Sequence, residues 1–129
     1  MELVDVYNER HEKLNYSKGR KELNDGEYRL SCFIWVINDK NEILLQQRLA
    51  TAKKMPNMWG TTAGGAQKGD SSLTGAMREL KEELGIDARK EEMVFIGSYK
   101  RINDFVEVWL CKKNIEVNAL ILEPSEVQD

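Results

Sequence analysis

Period-two alternation opens the chain: Leu3-Val4-Asp5-Val6-Tyr7 reads as one short strand in an otherwise polar, irregular stretch over residues 1–27. Asn24-Asp25-Gly26 is a turn signal. Residues 28–37 (YRLSCFIWVI) are rich in β-branched and aromatic side chains and predict a long strand. Asn38-Asp39-Lys40-Asn41 then supplies a turn, and residues 43–48 are expected as its hairpin partner. Residues 49–60 read as a loop punctuated by Pro56, followed by a small-residue stretch, 61–69, expected to stay irregular. Further strands are predicted at 94–98, 105–111 and 115–122.

The period changes to 3.6 between Ser72 and Leu84. Leu73, Met77, Leu80 and Leu84 fall on one stripe, a serine precedes the segment as N-cap, and Gly85 stands where a C-terminal cap belongs. Strands on both sides of a glycine-rich loop and a helix give a mixed α/β domain.

Size and charge narrow the function. The chain has 129 residues and 14.9 kDa, enough for one domain. Apolar residues make up 41% and charged residues 32%, with a net charge of −3. No basic excess exists to displace counterions from a nucleic-acid duplex. The apolar runs are far shorter than the roughly 20 residues a membrane span needs. Residues 1–12 lack the apolar core of a signal peptide. Cys32 and Cys111 sit in apolar runs without metal-type spacing, and are expected in the sheet core. A reduced, cytoplasmic location is the expectation.

The helix face away from the leucine stripe carries Glu79, Glu82 and Glu83, roughly 140° from its centre. Like charges at this spacing repel, so a solvated face is the default interpretation of such a cluster. The glycine-rich stretch just before the helix changes that weighting. Backbone there can approach a ligand closely, and the helix N-terminus is available to phosphate oxygens. Clustered carboxylates are also what a hard divalent cation requires.

Gly64, five residues, Asp70, seven residues, and then Arg78-Glu79-Leu80-Lys81-Glu82-Glu83-Leu84-Gly85-Ile86 resemble the Nudix box, G-x5-E-x7-R-E-U-x-E-E-x-G-U with U aliphatic. Every fixed position from Arg78 to Ile86 matches, whereas the first glutamate of the pattern is Asp70 here, one methylene shorter. The polar N-terminal extension, Gly26-Glu27-Tyr28-Arg29-Leu30, Gln46-Gln47-Arg48 and Met58-Trp59-Gly60 are similar to the isopentenyl-diphosphate-isomerase-like branch of the Nudix hydrolases. The resemblance implies an α/β/α sandwich with a mixed sheet, lacking here the last strand and helix that members carry. It divides the chain into one Nudix hydrolase domain over residues 1–129, with an N-terminal extension at 1–27 and the box at 64–86. A homodimer is the expected way of covering an exposed sheet edge.

What the resemblance implies chemically is hydrolysis of a nucleoside diphosphate linked to another moiety, or of a related pyrophosphate, by attack of water on phosphorus. The substrate is then a small molecule, with Mg2+ or Mn2+ between its phosphates and the acidic face. Glu79, Glu82 and Glu83 match the metal-ligating positions, joined by backbone carbonyls near Ala63 and Gly64. Glu82 or Glu83 deprotonates the water, with Glu82 favoured, and Arg78 orients Glu79 or Glu82 by an ion pair. Glu107 and Glu126 are the candidate acids outside the box. Arg48 and Lys53 or Lys54 are candidates for the remote phosphate, and Trp59 for a stacking platform.

Two other readings fit the same fold. One is a non-catalytic domain that binds a nucleotide or a partner protein. The other is an isopentenyl-diphosphate isomerase, which would need several metal-ligating histidines and a cysteine paired with a glutamate. The chain has one histidine, His11, in its polar N-terminal region.

Overall fold

The computed structural model describes residues 2–129. The chain forms, in order, β1 (Leu3–Tyr7), β2 (Lys13–Gly19), β3 (Arg29–Ile37), β4 (Gln46–Gln47), β5 (Trp59–Gly60), β6 (Thr62–Gly65), α1 (Ser72–Leu84), β7 (Met93–Lys100) and β8 (Asp104–Lys112). Short 3-10 turns lie at Lys90–Glu92 and Val117–Ala119. The central sheet has the strand order β6-β3-β8-β7. Its β3–β8 pair is parallel, from Arg29↔Asp104 to Ile37↔Lys112, and the other two pairs are antiparallel. The sheet is mixed and one α-helix packs on it, the α/β class expected.

The alternation within β3 divides the molecule into two sides. Cys32, Ile34 and Val36 are buried against Ala76, Leu80 and Leu84 of α1, with Ile86, Met93, Cys111 and Val127 completing the core. Each fully buried aliphatic side chain of this kind contributes about 2 kcal/mol. Phe33 and Trp35 point to the opposite side and stay partly open. Both cysteines are free and fully buried, as their apolar runs imply.

α1 has the bounds its period predicts. Ser71 caps it by accepting from the Thr74 N–H, and Gly85 closes it at φ 69°, a left-handed conformation that glycine adopts without strain.

Four local expectations change. Residues 43–48 do not form a full partner for β3, because β8 occupies one edge of β3 and β6 occupies the other from Ser31 to Ile34. Only the end of β3 is free, so the hairpin begins at the Ile37↔Ile43 bridge and then peels away to pair as β4 with β5. The stretch 61–69 is not wholly irregular: its residues 62–65 form β6, and the glycines let the α1 side chains lie close over that strand. The 115–122 segment is not a strand. It crosses the C-terminal end of α1, where Ile121 N–H donates to the Leu84 carbonyl at 3.0 Å and Glu123 N–H to the Glu83 carbonyl at 2.9 Å. Residues 13–19, read as irregular, form β2 against β1, the strand whose Val4 and Val6 are buried. Among the described residues no helix is long and apolar enough to cross a membrane.

Candidate active site

Three elements meet at the mouth of the α1–β6 junction: the glycine strand β6, the second half of α1, and the C-terminal segment that folds back over β4. Between them lies a cleft of ≈ 510 Å3 lined by Gly64, Arg78, Glu79, Glu82 and Glu83, together with Arg20, Arg48, Glu123 and Glu126. The three helix glutamates therefore face one cavity, but in unequal environments. Glu82 is 55% exposed, whereas Glu79 is 13% exposed at its side chain and Glu83 is buried at 7%. A uniformly solvated face is thus wrong for two of the three.

Gly64 makes room for Glu79. A Cβ at position 64 would fall on the Glu79 carboxylate, so only glycine allows that group to rest against the β6 backbone. Burial pushes Glu79 up to about 7, with the Glu82 charge adding to it and the Arg78 charge opposing. Burial likewise pushes Glu83 up to about 7 against the hydrogen bond from Gln46, with Glu79 and Glu126 adding like charge. Gln46 Nε2 donates to Glu83 Oε2 at 3.1 Å, and its own Oε1 accepts from Thr62 Oγ1 at 2.7 Å. β4 therefore orients the most buried acid of the cleft.

Arg78 ties the box together. Its Nη1 lies 3.3 Å from Glu79 Oε1 and 3.1 Å from Glu82 Oε2, and its Nη2 donates to the Gly65 carbonyl at 3.1 Å. The same guanidinium bonds Asp70 through Nη2 at 2.9 Å and Nε at 3.2 Å. Asp70 also accepts from the Gln67 N–H at 2.9 Å. The carboxylate at this position braces the loop and Arg78, and the shorter aspartate reaches both.

The cleft can hold a hard cation by the kind of its donors, all carboxylate and carbonyl oxygens. It does not do so in a closed arrangement: among the described residues no three His, Cys, Asp or Glu side chains are gathered into a cation site. The reason is visible in the bonding. Arg78 draws Glu79 and Glu82 onto itself, while Gln46 holds Glu83 at another corner. A divalent ion would relieve the desolvated charge on Glu79 and Glu83 and draw these acids together.

The remaining candidates separate. Arg48 lines the cleft, with its Nε fixed on the Lys54 carbonyl at 2.9 Å. Lys54 lies outside the cleft, in a neighbouring basic pocket. Trp59, 52% exposed, lines an apolar pocket of ≈ 480 Å3 with Phe33, Trp35, Leu45, Met55 and Met58. That pocket shares Arg48, Ala63, Glu83 and Glu126 with the cleft. Of the two acids outside the box, Glu126 lines the cleft, whereas Glu107 does not and pairs instead with His11 Nε2 at 3.0 Å. The sequence offers Gln46 as part of a motif but not as a site residue, and it does not point to Arg20 or Glu123. Gln46 alone carried a local signal, in Gln46-Gln47-Arg48; the other two reach the cleft only through the folding of the termini.

Known proteins share the family and the fold of this chain. The NUDIX domain family profile matches residues 27–129. The chain is 36% identical over 134 aligned positions to an uncharacterized Nudix hydrolase of Listeria innocua, covering 100% of this chain and 78% of the relative. Its fold resembles a Deinococcus radiodurans crystal structure at a TM-score of 0.76 and 17% identity, over 98% of this chain and 80% of that one. It also resembles the NUDIX domain of Shewanella oneidensis NrtR, solved with ADP ribose, at a TM-score of 0.64 and 15% identity, over 89% and 75% of the two chains. The chain belongs to the NUDIX family and is a hydrolase acting on pyrophosphate bonds.

Proposed function

We propose that the chain hydrolyses a nucleoside diphosphate linked to a second moiety, or a related pyrophosphate, with Mg2+ or Mn2+. The observation that carries this reading is that Glu79, Glu82, Glu83 and Gly64 line one cavity, with an apolar pocket opening directly from it. Glu79, Glu83 and the Gly64 carbonyl would hold the cation, with Glu82 at its edge. When bound, the cation neutralises the phosphates and acidifies the attacking water. Glu82 takes the proton of that water, because it is the one of the three that solvent reaches freely. Arg78 positions Glu79 and Glu82 and does not touch substrate. Arg48 stands between cleft and pocket, where its guanidinium meets a phosphate oxygen.

The apolar pocket takes the flat or apolar part of the substrate, with Trp59 as a stacking wall. A nucleotide is consistent with this shape, and the ADP ribose bound to the NrtR domain is a small molecule of that class. Residues 1–27 belong to the same domain in this reading, since Tyr7 pairs with Tyr28 through two backbone hydrogen bonds. The isomerase reading finds no support among the site residues. His11 is engaged with Glu107, and both cysteines are buried with their thiols pushed up to about 12 and about 11 by burial.

The test is a panel of nucleoside diphosphate derivatives and simple pyrophosphates assayed with magnesium. Turnover of at least one member is expected. No turnover of any member, combined with tight metal-independent binding of one of them, would favour a binding domain instead.

A further inference from the structure

Beside the acidic cleft, and sharing Arg20 with it, is a second pocket of ≈ 370 Å3 lined by Arg20, Lys21, Leu23, Arg29, Lys54 and Asn103. In a chain of net charge −3, four cations converging on one small cavity need a cause. Pairing does not supply it. None of the four takes part in an ion pair among the described residues, whereas Lys18, Arg78 and Arg101 are all engaged by carboxylates. Arg29 is the most telling. It is half-buried, and its Nη1 reaches only the hydroxyl of Ser31, at 3.0 Å. That hydroxyl in turn donates to Asp104, which Arg101 already neutralises. Burial lowers the pKa of Arg29, as does the neighbouring charge of Arg20, with Arg101 adding to it and Asp104 and Glu2 opposing.

The backbone also makes space for this grouping. A Cβ at Gly65 would meet Arg29 Nη1 at 2.8 Å and Arg20 Cζ at 3.8 Å, so the strand that carries the box glycine is bare where the guanidiniums lie over it. The two arginines and Glu79 lie on opposite faces of the sheet-edge strand β6, at its consecutive residues Gly65 and Gly64, and Arg20 lines both cavities.

We propose that this basic pocket binds a phosphoryl group of the substrate that lies beyond the scissile linkage. This rests on the hydrolase reading above and deepens it: the substrate carries a further phosphate, held without metal by Arg20, Lys21, Arg29 and Lys54. Guanidinium forks suit tetrahedral oxyanions, and removing such charge-assisted contacts weakens binding by roughly tenfold or more.

The experiment uses the full chain in metal-free buffer, where the acidic cleft repels anions, with inorganic tripolyphosphate as the probe followed by titration calorimetry. Wild type is expected to bind it, and Arg20→Ala/Lys21→Ala, two exposed positions, to bind roughly tenfold more weakly. Arg29→Gln serves as a second variant, its fold checked by circular dichroism. In the presence of magnesium, the double variant should raise KM more for a panel substrate bearing an extra terminal phosphate than for its counterpart lacking it. Equal tripolyphosphate affinity for wild type and double variant, or no binding by wild type, would overturn the proposal. So would a fall in tripolyphosphate binding with no selective change in KM, since the pocket would then serve free phosphate. Turnover of panel members with equal tripolyphosphate affinity in both proteins would overturn the pocket alone, whereas no turnover of any member would overturn the hydrolase reading and this proposal with it.

Discussion

Arg78 holds Asp70 through two of its nitrogens, Nη2 at 2.9 Å and Nε at 3.2 Å, while the same guanidinium reaches Glu79 and Glu82. One cation therefore sets both the loop before α1 and two acids of the cleft. Asp70, where the Nudix pattern has glutamate, is not directed at the metal side but at this brace.

Replacing Asp70 with asparagine should weaken the brace, since hydrogen bonds to charged groups contribute about 1.5–3 kcal/mol. Thermal denaturation is expected to show a loss of that size, and magnesium titration a lower affinity as Arg78 turns more fully onto Glu79 and Glu82. Asp70→Glu, by contrast, should keep turnover within a few-fold of wild type. If Asp70→Asn abolished metal binding while stability stayed unchanged, Asp70 would be a ligand and the brace assignment wrong.

Gly64→Ala places a methyl group where the Glu79 carboxylate rests. The strand itself tolerates alanine, so the fold should persist. Magnesium affinity and kcat should each drop at least about tenfold, an effect of over 1.4 kcal/mol. Circular dichroism and calorimetry on one sample check both parts. Wild-type metal affinity in this variant would show that Glu79 is not held against β6 in the working enzyme.

The raised carboxylates make the metal-free protein sensitive to pH in a defined direction. Glu79 and Glu83 go up to about 7 in the folded chain, above their ordinary value of 4.5. Between those limits the unfolded chain has released protons that the folded chain still binds, so stability falls as pH rises from about 4.5 to about 7 and then levels. Denaturant melts in chelator across that range should show the decline, and magnesium at pH 8 should reverse it. Glu83→Gln keeps an acceptor for Gln46 and removes the buried charge. It should stabilise the metal-free protein at pH 8 by about 2 kcal/mol while eliminating turnover. A destabilised Glu83→Gln at pH 8 would mean that Glu83 is stably ionised without metal.

The acid limb has a different origin. Lys18, Tyr16 and the Asn24 N–H all bond the Glu27 carboxylate and hold it at about 2. Its contribution is present above pH 4.5 and is lost as pH falls toward 2. Glu27→Gln should flatten the loss of stability in that window. An unchanged acid limb would leave the loop before β3 without its assigned anchor.

How much of this was legible in the sequence depends on the range of the forces involved. α1 was, end to end, because its apolar period, Ser71 and Gly85 all act within one or two turns. The box residues were legible for the same reason: Arg78, Glu79, Glu82 and Glu83 share a helix. Choices of strand partner were not. Nothing local in residues 43–48 says that β6 and β8 already occupy most of β3, and the polar Lys13–Gly19 strand carries little apolar alternation of its own and forms by pairing with β1. Glu126 was recognisable as an acid, but only the fold of 113–129 brings it to the cleft while Glu107 goes to His11. Glu82 and Glu83, adjacent in sequence, differ in burial because they point about 100° apart on α1: Glu83 meets Gln46, whereas Glu82 meets Arg78 at the solvent side.

If Glu79, Glu82 and Glu83 act on a pyrophosphate bond through a divalent ion, phosphate release must depend on that ion. With any panel substrate that turns over, EDTA should stop the reaction, and excess magnesium or manganese should restore it. Turnover that continues undiminished in chelator would rule out a metal-dependent reaction at these glutamates.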